Sequence, residues 1–560
     1  MQLFFFVAIV LAIIMTATAL EKSSSNVVLC DIIVAGGSLA SLAAAVSAAS
    51  ASSKPNVCFL ELTDWPGGQM TASGVPAIDF GPENAKRVNL PSSFSDLLFG
   101  PLMPNTTNLG NCWVSKKCFN PVTVMNEFIF PLLSKFTNLN VFLRTAVSSV
   151  TRSVVDNAIT SVVGISRTPK EIDTEWAILT SAQIIDWYDP NDSNYFTKES
   201  ITFTLSPNGV VIEATEFGDV LATSGVPFAQ GIESPLENST SFISTCGQGM
   251  TIPFYATYSH SLAPSPDPWP PGNSNGDPTS QQGMSWDRDW TYRRVDASLK
   301  ESSSSFGSKG ETSVINVGGG NDIGNVYLFY SLDSPELIAQ LATPGAWRGG
   351  INTTALAAAE QRAYAFYHFF KANASITHSG NATAFIGLNA SLAGTLTGLA
   401  KMPYLRDTRR SAGGLNGFRI QKSDLSTAGV IPNTAIDWED TIAIGQYFYA
   451  DIHKEDKTFC AYPSYIVSGA PVLPYYIPFR ALTVNGIPNL LVAGKSLAMS
   501  FFANAAIRLH PEEWATGSSA GTIATLMSVN KWTVNDVFTN IHDVRIAINK
   551  TGNPIHWTFT

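Results

Sequence analysis

A short glycine turn and a distant carboxylate are the first residues in this chain arranged for chemistry. Gly36-Gly37-Ser38-Leu39-Ala40-Ser41 stands in register with G-x-G-x-x-G, and Glu61 follows about twenty positions later. The backbone N–H groups of such a turn, with a helix N-terminus behind them, bind a pyrophosphate. A carboxylate at the end of the next strand accepts from ribose hydroxyls. The register keeps only the first glycine. Ser38 stands where the backbone comes closest to phosphate, and Ser41 where the helix packs on the strand. Both are small, and Ser38 has a hydroxyl to donate to the phosphate. On its own the unit reads either as a nucleotide site or as an ordinary buried βαβ crossover.

The flanking residues predict the elements that would place this turn. Ile32–Ala35 is a short apolar run suited to a buried parallel strand, Leu39 to about Ser50 is an Ala-rich helix, and Val57–Leu60 is a second strand. Pro66-Gly67-Gly68 forces an irregular loop that brings backbone close to a neighbour. Further on, 122–136 reads as helix, while 140–150, 158–166, 172–185 and 202–211 read as strands. Residues 355–372 read as a helix whose stripe of Tyr364, Tyr367 and Phe370 belongs in a core. Residues 261–282 are rich in Pro, Gly, Ser and Asn and read as an exposed loop. Ile487–Gly494 reads as a buried strand, 495–511 as irregular, and a helix opens at Trp514-Ala515-Thr516-Gly517-Ser518-Ser519-Ala520-Gly521. Its small first-turn residues would let a ligand approach a positive helix end.

Composition narrows the partners. The 560 residues are 45% hydrophobic and only 14% charged, with a formal net charge of −10. No basic run exceeds two residues, which disfavours nucleic acid and anionic membrane. Leu3–Ile14 is nearly all apolar and Ala17-Thr18-Ala19 follows, the pattern of a signal peptide cut after about Ala19. No other stretch is apolar enough to span a bilayer once that signal is removed, so the expected location is secreted or in the endomembrane lumen. Eight N-x-Ser/Thr sites (Asn105, Asn191, Asn238, Asn352, Asn373, Asn381, Asn389 and Asn549) suit N-glycans on such a route. Six cysteines in an oxidising compartment invite disulfides, Cys112 with Cys118 most simply; Cys30 and Cys58 either pair or sit in the core. No C-x-x-C occurs, so no metal site is expected.

Five separated pieces, in order, resemble one family. They are the turn unit with Leu60-Glu61 and Gly67-Gly68-Gln69-Met70-Thr71; Glu213–Asp219 with Gly225-Val226-Pro227; Arg406–Arg410; Asp440–Tyr447 with Asp451-Ile452-His453; and Pro478–Leu482 through Asn489–Gly494 to Ala520-Gly521. Together they resemble FAD-dependent oxidoreductases of the two-dinucleotide-binding-domain type, nearest to a bacterial group associated by name with xanthan lyase. The resemblance implies an α/β fold. A glutathione-reductase-type, Rossmann-like FAD domain would be assembled from 28–75, 139–225 and 478–530. A loop-rich insertion (76–138), a mixed α+β substrate domain (226–477) and a C-terminal tail (531–560) would complete the chain.

The resemblance also implies roles. FAD is the expected cofactor. Gly36, Gly37, Ser38, Leu39, Ala40 and Ser41 would hold its pyrophosphate and Glu61 its adenosine ribose. Gly67, Gly68 and Gln69 would line the flavin side, and Val147 would give a backbone contact to adenine. Gly494 would approach the ribityl chain, and the helix start at Gly517, Ser518, Ala520 and Gly521 would face the flavin. Lys495 departs from the acidic residue usual after that glycine. Arg508 would hold an anionic substrate or stabilise reduced flavin, and His510 would act as base. Arg406, Arg409 and Arg410 either form a carboxylate-binding cluster or pair with acids such as Asp440 and Asp451. The activity implied is hydride transfer from a small organic substrate, of the sugar or polyol kind, to FAD, with oxygen or another diffusible molecule as acceptor. A non-catalytic flavin- or carbohydrate-binding protein, and a flavin-dependent isomerase or hydratase, stand as alternatives.

Overall fold

A computed structural model describes residues 26–100, 112–115, 117–171, 175–259, 286–296, 311–318, 320–377, 385–453 and 460–559. The segment expected to be a signal peptide and the expected 261–282 loop lie outside these residues, as do Asn105 and Asn381 and the side chains of Phe370 and Asn373.

A seven-stranded sheet carries the nucleotide unit. β1 (Val27–Ala35) leads through the glycine turn into α1 (Leu39–Ala49) and β2 (Val57–Leu60). The other strands are β3 (Leu139–Phe142), β4 (Thr145–Arg152), β5 (Ile159–Pro169), β6 (Phe196–Glu213) and β7 (Leu490–Val492). The order is β3-β2-β1-β6-β5-β4, with β7 added alongside the far end of β6. β3, β2, β1, β6 and β7 are parallel, whereas β4, β5 and β6 form an antiparallel meander. β1 and β2 are apolar on both faces over Ile32–Ala35 and Val57–Leu60, as a sheet covered on both sides requires. Cys30 and Cys58 are joined by a disulfide across these two strands, Cys112 pairs with Cys118, and Cys246 with Cys460.

A second core stands apart from the one around this sheet. It is built on a four-stranded antiparallel sheet, in the order Arg294–Asp296, Thr312–Ile315, Phe254–Ser259 and Phe385–Leu388. The long helix α2 (Thr353–Thr377) buries Tyr364 and Tyr367 against it.

Several expectations are corrected. Residues 175–188 are short helical turns, not a strand. Trp176, Ile184, Trp187 and Tyr188 fall on one side when the chain coils, and all enter the second core. Residues 121–133 are helical but include a wider turn at Met125–Ile129. The 495–511 stretch is not irregular, since Phe501–Ile507 is a helix. α3 runs His510–Asn530, four residues longer at its start than expected. Pro511 stands in its first turn, where proline is tolerated because its missing N–H has no partner to lose. The C-terminal segment is no loose tail: it folds as two helices, Val534–Thr539 and Ile541–Lys550, which bury Val537, Val544 and Ile548. Among the described residues no helix is long and apolar enough to cross a membrane.

Candidate functional site

The nucleotide turn is built around its two serines. The Gly36 N–H donates to the Leu60 carbonyl at 2.7 Å, and a Cβ at Gly36 would stand 2.6 Å from that oxygen, so glycine is required. Gly37 has φ of 139°. Ser38 is the N-cap of α1. Its Oγ accepts from the Ser41 N–H at 3.3 Å and donates to the Ala214 carbonyl at 2.7 Å, tying the turn to the end of β6. The Ser41 hydroxyl donates to the Ser38 carbonyl at 2.7 Å and accepts from Gly37. Ser38 therefore spends its hydroxyl proton inside the fold, contrary to the expectation that it donates to phosphate.

Glu61 ends β2 fully buried. Its Oε1 accepts from the Thr63 N–H and hydroxyl at 3.2 and 3.3 Å, while Oε2 is buried without a partner. Burial, reinforced by Glu216 and Asp64, pushes its carboxyl up to about 8. A buried carboxylate oxygen lacking donors is what the two hydroxyls of a ribose would complete. Val147 sits on β4, two residues past Thr145, whose N–H donates to the Glu61 carbonyl at 2.8 Å. Gly67 and Gly68 both have positive φ, and a Cβ on Gly68 would lie 2.6 Å from the Ser38 Cα. The loop thus rests directly on the first turn of α1. Gln69 continues from it to the next group, its Nε2 donating to the Arg508 carbonyl at 3.2 Å.

Lys495 follows Gly494, whose φ is 63° and whose N–H donates to Thr516 Oγ1 at 3.1 Å. The lysine is buried. Its Nζ donates to Glu216 Oε2 at 2.6 Å and the Leu405 carbonyl at 3.2 Å, and lies 3.6 Å from Glu513 Oε1. Burial works against its charge, but Glu216 and Glu513 raise it above its ordinary value. The other oxygen of Glu513 accepts from the Leu39 N–H, the first amide of α1, at 3.1 Å. Sequence reading missed both acids. The unexpected cation at 495 was the available signal, because a lysine buried there needs carboxylates beside it.

Gly517, Ser518, Ala520 and Gly521 are mid-helix, so they cannot offer a helix N-terminus. They pack α3 onto α1 instead: a Cβ on Gly517 would stand 2.1 Å from the Ala40 carbonyl, and one on Gly521 2.3 Å from that of Ala44. Ser47 Oγ donates to the Ser518 carbonyl at 2.8 Å. The true start of α3 is His510. Its Nε2 faces the Val75 carbonyl at 3.1 Å and its Nδ1 is buried without a partner. Burial pushes the ring down to about 3, with the nearby Arg293, Lys495 and Arg508 adding to the shift. The imidazole is neutral, and donation from Nε2 leaves Nδ1 a bare acceptor.

Arg508 lies just before this helix and lines a polar cavity of about 70 Å³. Its Nη1 donates to Tyr404 Oη at 2.7 Å and its Nη2 to Asp451 Oδ2 at 3.3 Å. His453 links Asp451 to Asp322, with Nε2 and Nδ1 each 3.0 Å from a carboxylate oxygen. Asp322 in turn takes Nη2 of Arg406 at 3.0 Å on both oxygens. Although burial opposes it, Arg406 and His453 hold Asp322 well below the usual carboxylate range, and His453 and Arg508 do the same for Asp451. Arg409 and Arg410 do not join this group. Arg409 donates to the carbonyls of Phe217, Gly349 and Gly350, and Arg410 to Gly231 and Met499 and to Glu233. Asp440 pairs with Arg480. The run 406–410 is therefore no anion-binding cluster, since its side chains diverge and only Arg406 reaches the cavity.

A protein-family model described as FAD dependent oxidoreductase matches residues 31–178 and 196–547. No curated protein sequence matches the chain. Among solved structures, THI4 of Thermovibrio ammonificans is similar at 16% identity over 41% of this chain and 75% of that one, with a TM-score of 0.24. The FrdA subunit of E. coli quinol fumarate reductase is similar at 11% identity over 92% and 74%, with a TM-score of 0.27. The p-nitrophenol 4-monooxygenase PnpA of Pseudomonas putida DLL-E4 is similar at 12% identity over 41% and 47%, with a TM-score of 0.21. None of these structural likenesses bears on substrate.

Proposed function

The chain belongs to the FAD dependent oxidoreductase family, and from that premise we propose that it is a secreted flavoenzyme that oxidises a small organic substrate of the sugar or polyol class and passes the electrons to oxygen or another diffusible acceptor. The observation that carries the reading is the cavity bounded by Arg508, Tyr404 and Asp451, two residues from His510 and joined through Gln69 to the glycine turn. Bound FAD supplies the hydride acceptor.

The residues present fit that group. Glu61 Oε2 would take ribose hydroxyls, and the turn from Gly36 to Ala40 would lie against the pyrophosphate, presenting the amides of Ser38 and Ala40, since those of Gly36, Gly37 and Leu39 already donate within the fold. Lys495 would set a positive charge beside it, and Gly494 with Gly67–Gln69 would let backbone come close. For the substrate, Arg508 and Tyr404 line the cavity and would orient an oxygen, and His510 Nδ1, buried without a partner just beyond that lining in the chain, would accept from a hydroxyl that reaches past it. With its ring pushed down to about 3, His510 positions that hydroxyl better than it stores the proton. The sugar class follows from the resemblance to the xanthan-lyase-associated group. Three disulfides support passage through an oxidising compartment, and the exposed Asn191, Asn238 and Asn549 are the candidates for glycans. Asn389 is a poorer one, since its Nδ2 donates to Thr257 Oγ1 at 2.8 Å.

The test is anaerobic mixing of the FAD-loaded protein with a panel of sugars, polyols, alcohols and amines. Loss of the oxidised flavin's visible absorption with a hydroxylated member is expected. A panel in which no member bleaches the flavin would overturn the reading.

A further inference from the structure

The polar cavity is short of acceptors, and the shortage is specific. Arg293 stands just before the Arg294–Asp296 strand and Asn316 just after Thr312–Ile315, so two neighbouring strands deliver both side chains to one wall. Arg293 is 8% exposed, and its Nη1 donates to the Asn316 carbonyl at 2.8 Å. Its Nε is buried without a partner, as are the Asn316 Nδ2 and the Arg508 Nε. Every buried, unpartnered polar atom on the residues lining this cavity is thus a donor. Arg293 has no ion-pair partner among the described residues, whereas Arg406 is taken up by Asp322 and Arg508 by Asp451.

A guanidinium held away from water without a counter-ion is strongly unfavourable. Each orphaned buried donor adds its own desolvation cost. Neutral hydroxyls answer this poorly, because each brings a donor of its own. A carboxylate brings acceptors only, and its planar pair of oxygens suits guanidinium donors. The volume, about 70 Å³, is well above the ~10–15 Å³ that a single water needs. Asp79 and Asp451 also face the space. Asp451 is committed to Arg508 and His453, and Asp79, whose carboxyl burial raises against the pull of Arg293 and Arg508, makes no ion pair with Arg293 among the described residues.

We infer that Arg293, Asn316 and Arg508 form a carboxylate subsite, and that the substrate is a hydroxylated organic acid rather than a neutral sugar or polyol. This rests on the flavoenzyme reading and narrows it. The test uses matched probes on the FAD-loaded protein: gluconate against sorbitol, and glycolate against ethylene glycol. Perturbation of the flavin spectrum measures binding, and anaerobic bleaching measures turnover. The expected result is saturable binding of the acids at least tenfold tighter than of their neutral partners. Arg293→Met should abolish that preference and Arg293→Lys should retain part of it, with FAD content unchanged in both. Should Arg293→Met not fold, Asn316→Leu and the wild-type preference decide the matter. Equal binding of acid and neutral partner overturns the subsite. Bleaching by sorbitol as fast as by gluconate overturns it too, yet leaves the oxidoreductase reading intact. Tight binding of the acids with no bleaching by any probe keeps the subsite and removes hydride transfer for these compounds.

Discussion

At the scale of single residues, Glu61 joins sequence to function most directly. Burial raises its carboxyl from 4.5 to about 8, and Glu512, fully buried on the first turn of α3, is raised to the same value. The folded chain therefore holds protons that the unfolded chain has lost. The associated stability is complete below about pH 4.5 and drains away as pH rises through 8. FAD-free protein should melt at progressively lower temperature across that window, and Glu61→Gln should flatten the decline; scanning calorimetry at several pH values checks both. Ribose hydroxyls donating to Glu61 favour its ionised form, so FAD affinity should rise with pH toward 8 and level off above it. Fluorescence titration of FAD-free protein should also show Glu61→Gln binding FAD about tenfold more weakly, the scale of a lost hydrogen bond to a charged group, with the pH slope gone. An affinity untouched by this substitution would remove Glu61 from the ribose.

At the scale of elements, α1 and α3 cross with their backbones in close contact. A Cβ on Gly521 would meet a backbone carbonyl at 2.3 Å, which no side-chain rearrangement can relieve. Gly521→Ala should lower the melting temperature, and Gly521→Leu should yield little soluble protein, because the helices must separate along the face carrying Ala40, Ala44 and Ala48. Thermal melts and soluble yield measure this. The small residues at 517–521 were legible in the sequence as a place of close backbone approach, but not what approaches. Glycines spaced four apart serve a helix crossing as well as a ligand, and only the register of α1 separates the two. The same ambiguity misplaced 172–185, whose described residues 175–185 coil into turns that carry Trp176 and Ile184 into the second core. By contrast α1 and β2 were readable almost residue by residue, and β1 over Ile32–Ala35 though not over Val27–Asp31, since their pairing is local. The Arg293–Asn316 wall was unreadable, because neither short segment carries a pattern that shows Arg294–Asp296 pairing with Thr312–Ile315.

At the scale of the whole molecule, the Cys246–Cys460 disulfide spans 214 residues of chain. It fastens the segment carrying Asp451 and His453 to the loop of Gly247–Gly249, where the Gly249 N–H donates to the His453 carbonyl at 3.0 Å and Tyr462 Oη to the Gly247 carbonyl at 2.8 Å. Closing a loop of that length is worth on the order of 5 kcal/mol in the chain-entropy model. The double substitution Cys246→Ser, Cys460→Ser should therefore lower the melting temperature clearly while leaving FAD content near normal, since the glycine turn and Glu61 lie elsewhere. Loss of FAD in that variant would mean that the two halves of the molecule are less independent than their separate cores suggest.

The nucleotide sheet is finished from the far end of the chain. β7 completes the edge of β6, Lys495 and Glu513 reach the start of α1, and Gly517 and Gly521 cover its alanine face. During synthesis, α1 leaves the ribosome with that face bare, and it stays bare until more than four hundred further residues have been translated. A nascent or prematurely ended chain thus has the glycine turn but not its cover. On the placement of FAD proposed above, only completed chains turn yellow, and the colour of a preparation counts finished molecules.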